Sequence, residues 1–167
     1  MSNFERDYSD PSGDDFEALS RDRVPVRTMT EDDLPGIIRI DRKITGRDRT
    51  AYYERKLAEM LHESGVRISL VAEVDGQFAG FIMARVDYGE YGRTANTAAI
   101  DTIGVNPAFA NREVGRALLS QLMANLASLR VERVHTRVRW NDFGLLGFLE
   151  RAGFRPAQRL SLSKTIT

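Results

Sequence analysis

The stretch that decides the fold reads NTAAIDTIGVNPAFANREVGRALLSQLMANLASLR and covers residues 96–130. Its first part predicts an extended strand, because β-branched residues are frequent there: Thr97, Ile100, Thr102, Ile103 and Val105. Asn106-Pro107 then marks a tight turn. Further on, apolar residues recur at the spacing of one helix face: Val114, Ala117, Leu118, Leu122, Leu126 and Leu129. A long amphipathic helix of this kind packs against a sheet.

The start of this helix predicts an anion site. The first amides of a helix have no intrahelical acceptor, and the helix dipole adds partial positive charge there. Val114, Gly115 and Arg116 supply the first turn. Strand, polar loop and helix N-terminus together therefore form a place that can hold phosphate groups.

These residues carry a family resemblance. The segment resembles the acyl-CoA-binding motif of the GCN5-related N-acetyltransferase (GNAT) superfamily: a Val-x-Pro turn, then Arg or Gln, two residues, Gly, one residue, and Gly or Ala. Val105-Asn106-Pro107 and Gly115 fit the motif, and Arg112 stands where a basic residue is common. Ala110 replaces the usual Arg or Gln, and Glu113 replaces the usual first Gly.

The resemblance implies an α/β fold, in which helices flank a mixed, mostly antiparallel central sheet in a single GNAT domain. We assign residues 24–167 to this domain and predict that residues 1–23 form a disordered tail, because they are polar and lack apolar periodicity. The implied function is transfer of an acyl group, by default acetyl from acetyl-CoA as cosubstrate, to an amine. A small-molecule amine is preferred over a protein lysine or N-terminus.

The resemblance also implies which residues bind the cosubstrate. Backbone groups of the central strand at Ile103, Gly104 and Val105 are expected to pair with the pantetheine arm. The diphosphate is expected over the amides of the following loop and helix: Asn111, Arg112, Glu113, Val114, Gly115 and Arg116. Asn141 or Asp142 occupies the region where relatives use Asn to bond the pantetheine arm.

Asp101 is the candidate catalytic base. It lies four residues before Val105, where the superfamily often carries an acidic residue, and an alkylammonium acceptor must lose a proton before it attacks. The alternative is a structural acid paired with an Arg or capping a loop. Leu149 stands where many relatives carry a Tyr as general acid, and water could protonate the departing thiolate, which is a tolerable leaving group.

Aromatic residues suggest an acceptor site. Tyr88, Tyr91 and Trp140, with Tyr52 and Tyr53, could line a flat pocket for an arylamine, which needs no strong base because it is largely unprotonated at neutral pH. Arg47 or Arg49 could bind an acceptor carboxylate. The alternative is that these aromatic residues are core or loop anchors.

Glu113 leaves a second function open. Glycine at this position permits backbone angles that other residues avoid, and a glutamate places negative charge near a polyanion. The alternative function is therefore a degenerate GNAT-fold module that binds acyl-CoA or a protein partner without efficient catalysis. A homodimer, common among relatives, also stays open.

The remaining elements follow from local patterns. We predict a strand over residues 24–29, a helix capped by Thr30 that ends near Lys43, and a second helix over residues 48–65. Asp75-Gly76 is a hairpin signal between strands 68–74 and 77–88, with a bulge or close approach at Gly80. A strand over residues 133–138, a helix over 143–152 and a half-exposed final strand at residues 160–166 complete the prediction.

Composition excludes several classes of site. The 167 residues include no cysteine and two histidines, so disulfides, thiolate zinc sites and His-rich metal sites are excluded, and we expect no metal. The 24 basic and 24 acidic side chains balance, which gives no general attraction to nucleic acid or acidic membranes. Without an apolar run of about 18 residues or a basic N-terminus, no membrane span or signal peptide is expected. We therefore expect a cytoplasmic protein.

Overall fold

A five-stranded mixed sheet is the centre of the computed structural model, which describes residues 23–62, 67–87, 96–110 and 113–167. In spatial as in sequence order the strands are β1 (Val26–Thr28), β2 (Arg67–Val74), β3 (Gln77–Asp87), β4 (Thr97–Val105) and β5 (Arg133–Thr136). The α-helices are α1 (Leu34–Thr45), α2 (Thr50–His62), α3 (Val114–Ser128) and α4 (Phe143–Arg151). The predicted α/β architecture is confirmed.

The strand pairing confirms a mostly antiparallel sheet. Neighbouring strands from β1 to β4 run antiparallel, and β5 runs parallel to β4. The β2–β3 turn is Asp75-Gly76, as predicted, with φ angles of 53° and 75°. Positive φ at both central residues is the geometry that Asp-Gly favours in a two-residue hairpin.

Helices α1 and α2 cover one face of the sheet. Their core is a cluster of buried side chains: Met29, Ile37, Ile40, Tyr53, Leu57, Val71, Phe81 and Met83. Helix α3 contacts β2, β3 and β4, and it buries its apolar side chains, including Val114, Ala117, Leu118, Leu122 and Leu126. The 3.6-residue periodicity of residues 114–126 therefore marks the face of α3 that packs on the sheet.

Gly80 has both features predicted for it. Ala72 pairs with Gly80 but Glu73 pairs with Phe78, so Ala79 is the extra residue of a bulge next to Gly80. A Cβ atom on Gly80 would lie 2.9 Å from both Gly104 O and a Val114 methyl group. Only glycine lets α3 approach the sheet this closely.

Residues 137–167 form a second compact unit, separate from the unit that ends at Thr136. Its helix α4 begins after Asp142, whose Oδ1 accepts a hydrogen bond from Leu145 N at 3.2 Å, and Gly153 follows the helix at φ 93°. The predicted final strand is wrong: residues 154–167 form neither helix nor strand, and Leu160, Leu162 and Ile166 are each at least 90% exposed. Alternation of apolar residues supplies an amphipathic pattern, but a strand also needs a neighbour to satisfy its backbone.

The turn before α1 is fixed by one buried carboxylate. Asp33 accepts hydrogen bonds from Thr30 N at 2.7 Å and from Arg27 Nη1 and Nη2 at 2.8 and 2.7 Å. Burial alone would raise the pKa of Asp33, but the hydrogen bonds from Arg27 and Thr30 outweigh it and the pKa is lowered. The predicted N-cap region at Thr30 thus begins as a short 3-10 turn over Glu31–Asp33, and α1 follows at Leu34.

Replacement of Asp33 by Asn should lower the free energy of unfolding at pH 7 by about 1–2 kcal/mol. The loss is smaller than for a fully buried ion pair, because Arg27 is partly exposed to solvent. A lowered folded-state pKa gives stability that is present above the unfolded-state value of about 3.9 and is lost as pH falls through the folded-state value. Urea unfolding of both proteins from pH 7 down to pH 3 checks this. The gap should close at the acid end, and a gap that stays constant would contradict the assignment.

Candidate active site

Strand β4 loses one neighbour part-way along its length. Its pairing with β5 covers only Thr97–Ile100, ending where Thr136 Oγ1 donates a hydrogen bond to Ile100 O at 3.0 Å. Its pairing with β3 continues as far as Val105, opposite Gly80. Among the described residues, the other edge of residues 102–105 therefore has no strand partner. Ile103, Gly104 and Val105, predicted to offer backbone groups, all lie in this segment.

Asp101 lies at a bulge where this open segment begins. Thr102 pairs with Met83 and Ile100 pairs with Ala84, so Asp101 is the extra residue of β4. Bulges locally bend a strand and re-aim its side chains. Here the bend coincides with the point where β4 and β5 part.

The Asp101 carboxylate is ion-paired. Lys56 Nζ lies 2.9 Å from Oδ2, and Arg85 Nε lies 3.7 Å from Oδ1. Asp101 and Lys56 are each 16% exposed at the side chain, whereas Arg85 is 53% exposed. The ion pairs are those expected of the structural acid, and the role of Asp101 as a base stays a prediction.

A buried network fixes α2 beside this bulge. The Tyr53 hydroxyl donates to Asp41 Oδ1 at 3.1 Å and shares a side-chain hydrogen bond with Thr102 of β4. Burial raises the pKa of Tyr53 to about 12, so the phenol stays protonated at neutral pH. Arg49 Nε donates to Asp41 Oδ2 at 2.8 Å.

This network corrects two of the acceptor-site predictions. Tyr53 is 1% exposed and belongs to the core, as the alternative reading of the aromatic residues expected. Arg49 is engaged by Asp41 and by the rings of Tyr52 and Tyr53, 5.4 and 5.5 Å from its guanidinium carbon. It is therefore not placed to bind an acceptor carboxylate.

Lys56 and Arg85 are site residues that the sequence interpretation missed. Tyr53, Lys56 and Met60 follow one another at spacings of three and four residues, which puts the lysine on the inward face of α2. A lone lysine on an apolar helix face was the available signal. Its partner on β4 is 45 residues away in sequence, so local spacing alone did not point to it.

A turn follows the end of β4, and helix α3 begins further along the chain at Val114. Asn106 N donates to Ala79 O at 2.8 Å, and Asn106 Oδ1 accepts from Ala108 N at 3.0 Å, which fixes the predicted turn. The first intrahelical bond of α3 runs from Ala117 N to Glu113 O at 2.9 Å. The amides of residues 114–116 precede that bond, so they have the orientation that a bound anion uses.

Glu113 adopts the backbone conformation that glycine usually supplies. Its φ angle is 61°, in the left-handed region, and it is the N-cap residue of α3. Its carboxylate lies 3.6 Å from Arg23 Nη1 and 3.9 Å from Arg116 Nη1. Arg23, assigned by sequence to the tail, is therefore beside the helix terminus, and both arginines offset the negative charge near the predicted phosphate site.

Three predicted residues lie in the second unit. Trp140 is 82% exposed, Asn141 is exposed in the same turn, and Asp142 caps α4. Leu149 is buried at 6% exposure. The cap gives Asp142 a structural role that is sufficient to explain its presence.

Four predicted residues lie outside the described part of the chain: Tyr88, Tyr91, Asn111 and Arg112. The described residues hold no group of three or more His, Cys, Asp or Glu side chains suited to a metal ion. They also hold no helix with both the length and the apolar character needed to cross a bilayer.

Residues 34–154 match the model of the Acetyltransferase (GNAT) family. The chain belongs to this family. The match includes the bulge at Asp101, the N-terminus of α3 and every strand other than β1. Family membership supports acyl-CoA-dependent acetyl transfer as the general reaction of this GNAT protein.

Solved structures share the GNAT fold at low identity. A transcriptional regulator from Bacillus halodurans has a TM-score of 0.73 at 17% identity, covering 86% of this chain and 99% of its own. The aminoglycoside N-acetyltransferase AAC(6')-Iy, in complex with a CoA bisubstrate analogue, has a TM-score of 0.71 at 16% identity, covering 86% of this chain and 99% of its own. Glucosamine-6-phosphate N-acetyltransferase from Arabidopsis thaliana has a TM-score of 0.67 at 17% identity, again covering 86% and 99%.

Replacement of Glu113 by Gly should raise the free energy of unfolding by about 1 kcal/mol relative to Glu113→Ala. Both variants lose the same two ion pairs, which are long, partly exposed and of little value to stability. Only glycine relieves the left-handed backbone angle. Urea unfolding of the two variants measures the difference, and equal stabilities would contradict a strained backbone at this residue.

Proposed function

We propose that this GNAT protein transfers acetyl from acetyl-CoA to the amine of a small molecule. The observation that carries the proposal is that, among the described residues, β4 has no strand partner on one edge at residues 102–105, and that α3 begins a few residues further along the chain, with the amides of residues 114–116 before its first intrahelical bond. One feature suits an extended chain with amide groups, and the other suits a diphosphate. Acetyl-CoA contains an extended arm with amide groups, and this arm is joined to a diphosphate.

The residues present fit this cosubstrate. The amides of residues 114–116, with Asn111 and Arg112 before them, are proposed to hold the diphosphate. Backbone groups at Ile103, Gly104 and Val105 are proposed to pair with the pantetheine arm, as an added strand would. Glu113 already has the positive φ that glycine supplies in the usual motif, so the substitution preserves the turn.

This orientation brings the thioester to Asp101. The diphosphate site lies beyond the C-terminal end of β4, so the arm runs back along the strand towards the bulge. Four residues of strand span about 13 Å. The acetyl carbonyl would then lie beside Asp101, on a side of the site that α2 borders through Lys56.

In the proposed reaction, Asp101 is the candidate base and water is the candidate acid. The amine nitrogen attacks the thioester carbonyl carbon, the C–N bond forms, and the C–S bond breaks with CoA leaving as a thiolate. Asp101 or water accepts the amine proton. Position 149, where relatives carry a Tyr, holds a leucine with no proton to donate, and water can protonate the departing thiolate because a thiol has a reference pKa of only about 8.5.

The small-molecule acceptor is supported by the fold relatives. Two of them are named for acetylating aminoglycosides or glucosamine 6-phosphate. The competing function is a binding module without efficient catalysis, which the ion pair on Asp101 and the acidic Glu113 favour.

Calorimetric titration with acetyl-CoA, followed by thiol release on adding amines, separates these functions. We expect micromolar or tighter binding and turnover with at least one small amine. Glu113→Gln should bind acetyl-CoA about fivefold more tightly, because one like charge near the diphosphate is removed while the backbone angle is kept. Binding without turnover over a broad amine panel would instead favour the module.

Replacement of Asp101 by Asn should lower kcat for an alkylamine about 100-fold and leave acetyl-CoA affinity within about twofold. The matched control is Asp32→Asn, which changes an exposed aspartate on the turn before α1. Steady-state kinetics and calorimetry on both variants test this. Unchanged turnover in the Asp101 variant would remove this residue from the mechanism.

A further inference from the structure

Lys56 is a site residue to which the proposed reaction assigns no role. Its ammonium group lies 2.9 Å from Asp101 Oδ2, and both side chains are mostly buried. A lysine at this depth keeps its aliphatic stem against protein and its charge on the carboxylate. It therefore occupies the position in which an ammonium acceptor would bind Asp101.

Rigid elements hold this pair in place. Tyr53, one helical turn before Lys56, is tied to Asp41 of α1 and to Thr102 of β4. The bulge in β4 sets the direction of Asp101 from the other side. The ion pair thus joins two fixed backbones, unlike pairs between mobile surface side chains.

Among the described residues, two cationic groups lie close to Asp101. Lys56 and Arg85 bring two positive charges within 4 Å of one carboxylate. The nearby Arg49 is engaged by Asp41 and adds little. An acceptor that arrives as an ammonium ion meets a carboxylate that already has these two cationic partners, and it has to displace Lys56 to reach Oδ2.

We propose that Lys56 makes this site select amines that are uncharged at neutral pH, such as arylamines, over alkylammonium ions. The inference rests on the acetyl transfer proposed above. An uncharged amine has a free lone pair and attacks without first losing a proton. After the C–N bond forms and the C–S bond breaks, the surplus proton on nitrogen passes to Asp101 or water, and the thiolate takes a proton from water.

Aniline and benzylamine test this selectivity, because they are similar in size and differ in charge at pH 7. Release of CoA thiol gives kcat/KM for each. We expect the wild-type protein to prefer aniline, and Lys56→Met, which keeps an apolar stem of similar length, to lower the aniline-to-benzylamine ratio about tenfold. Lys56→Arg is the matched control and should keep the wild-type ratio.

A role for Lys56 in stability alone would lower turnover of both amines alike. An unchanged ratio in Lys56→Met, or a wild-type preference for benzylamine, overturns the proposal. The pH dependence gives a second readout: wild-type turnover of benzylamine should rise about tenfold per pH unit below the amine pKa, whereas turnover of aniline should be nearly flat around neutrality.

Equilibrium binding separates this inference from the proposed function. Calorimetry with benzylamine at pH 7, with and without CoA, should give about tenfold tighter binding to Lys56→Met than to the wild-type protein, with aniline unaffected. Equal benzylamine affinities overturn the selectivity. A protein that releases no thiol with any amine loses the transferase function, while the affinity comparison still decides what Lys56 does.

Discussion

The candidate site depends on the strand pairing of β4. This strand pairs with β3 as far as Val105, but its pairing with β5 ends at Ile100. Unpaired strand edges are a liability in proteins, since they invite association with other chains. In the described part of the chain, this strand edge and the first amides of α3 are the two features that we propose a ligand binds. A cosubstrate with amide groups at one end and a diphosphate at the other fits the proposed strand edge and the proposed helix terminus together.

The same constraint accounts for local choices along the chain. Gly80 and Gly104 lie on neighbouring strands, and a Cβ atom on either would lie 2.6–2.9 Å from its nearest neighbouring atoms. Neighbouring groups therefore pack closely against the backbone where β4 ends. Glu113 carries a left-handed angle at the start of α3. Backbone strain of this kind is commonly located at binding sites, where the surrounding structure maintains it. The strained residue is the N-cap of α3, next to the amides that we propose bind the diphosphate.

Much of this fold could be predicted from local sequence. The strand, turn and helix of residues 96–130, the Asp75-Gly76 hairpin and the cap before α4 follow from β-branched content, turn chemistry and helical periodicity. The final strand could not be predicted, because alternation at Leu160, Leu162 and Ile166 says nothing about whether a neighbour exists. The bulge at Asp101 and its pairing with Lys56 depend on register and on contacts distant in sequence, which local patterns do not encode.

The site combines a cradle made of backbone with a carboxylate that already has cationic partners. Backbone groups tolerate side-chain changes, and Glu113 keeps the positive φ angle that the usual glycine supplies. The most direct measurement is amide hydrogen exchange with and without saturating CoA. The account predicts that protection increases at residues 102–105 and 114–116 together. Binding that protects neither segment, or only surfaces elsewhere in the protein, would contradict it.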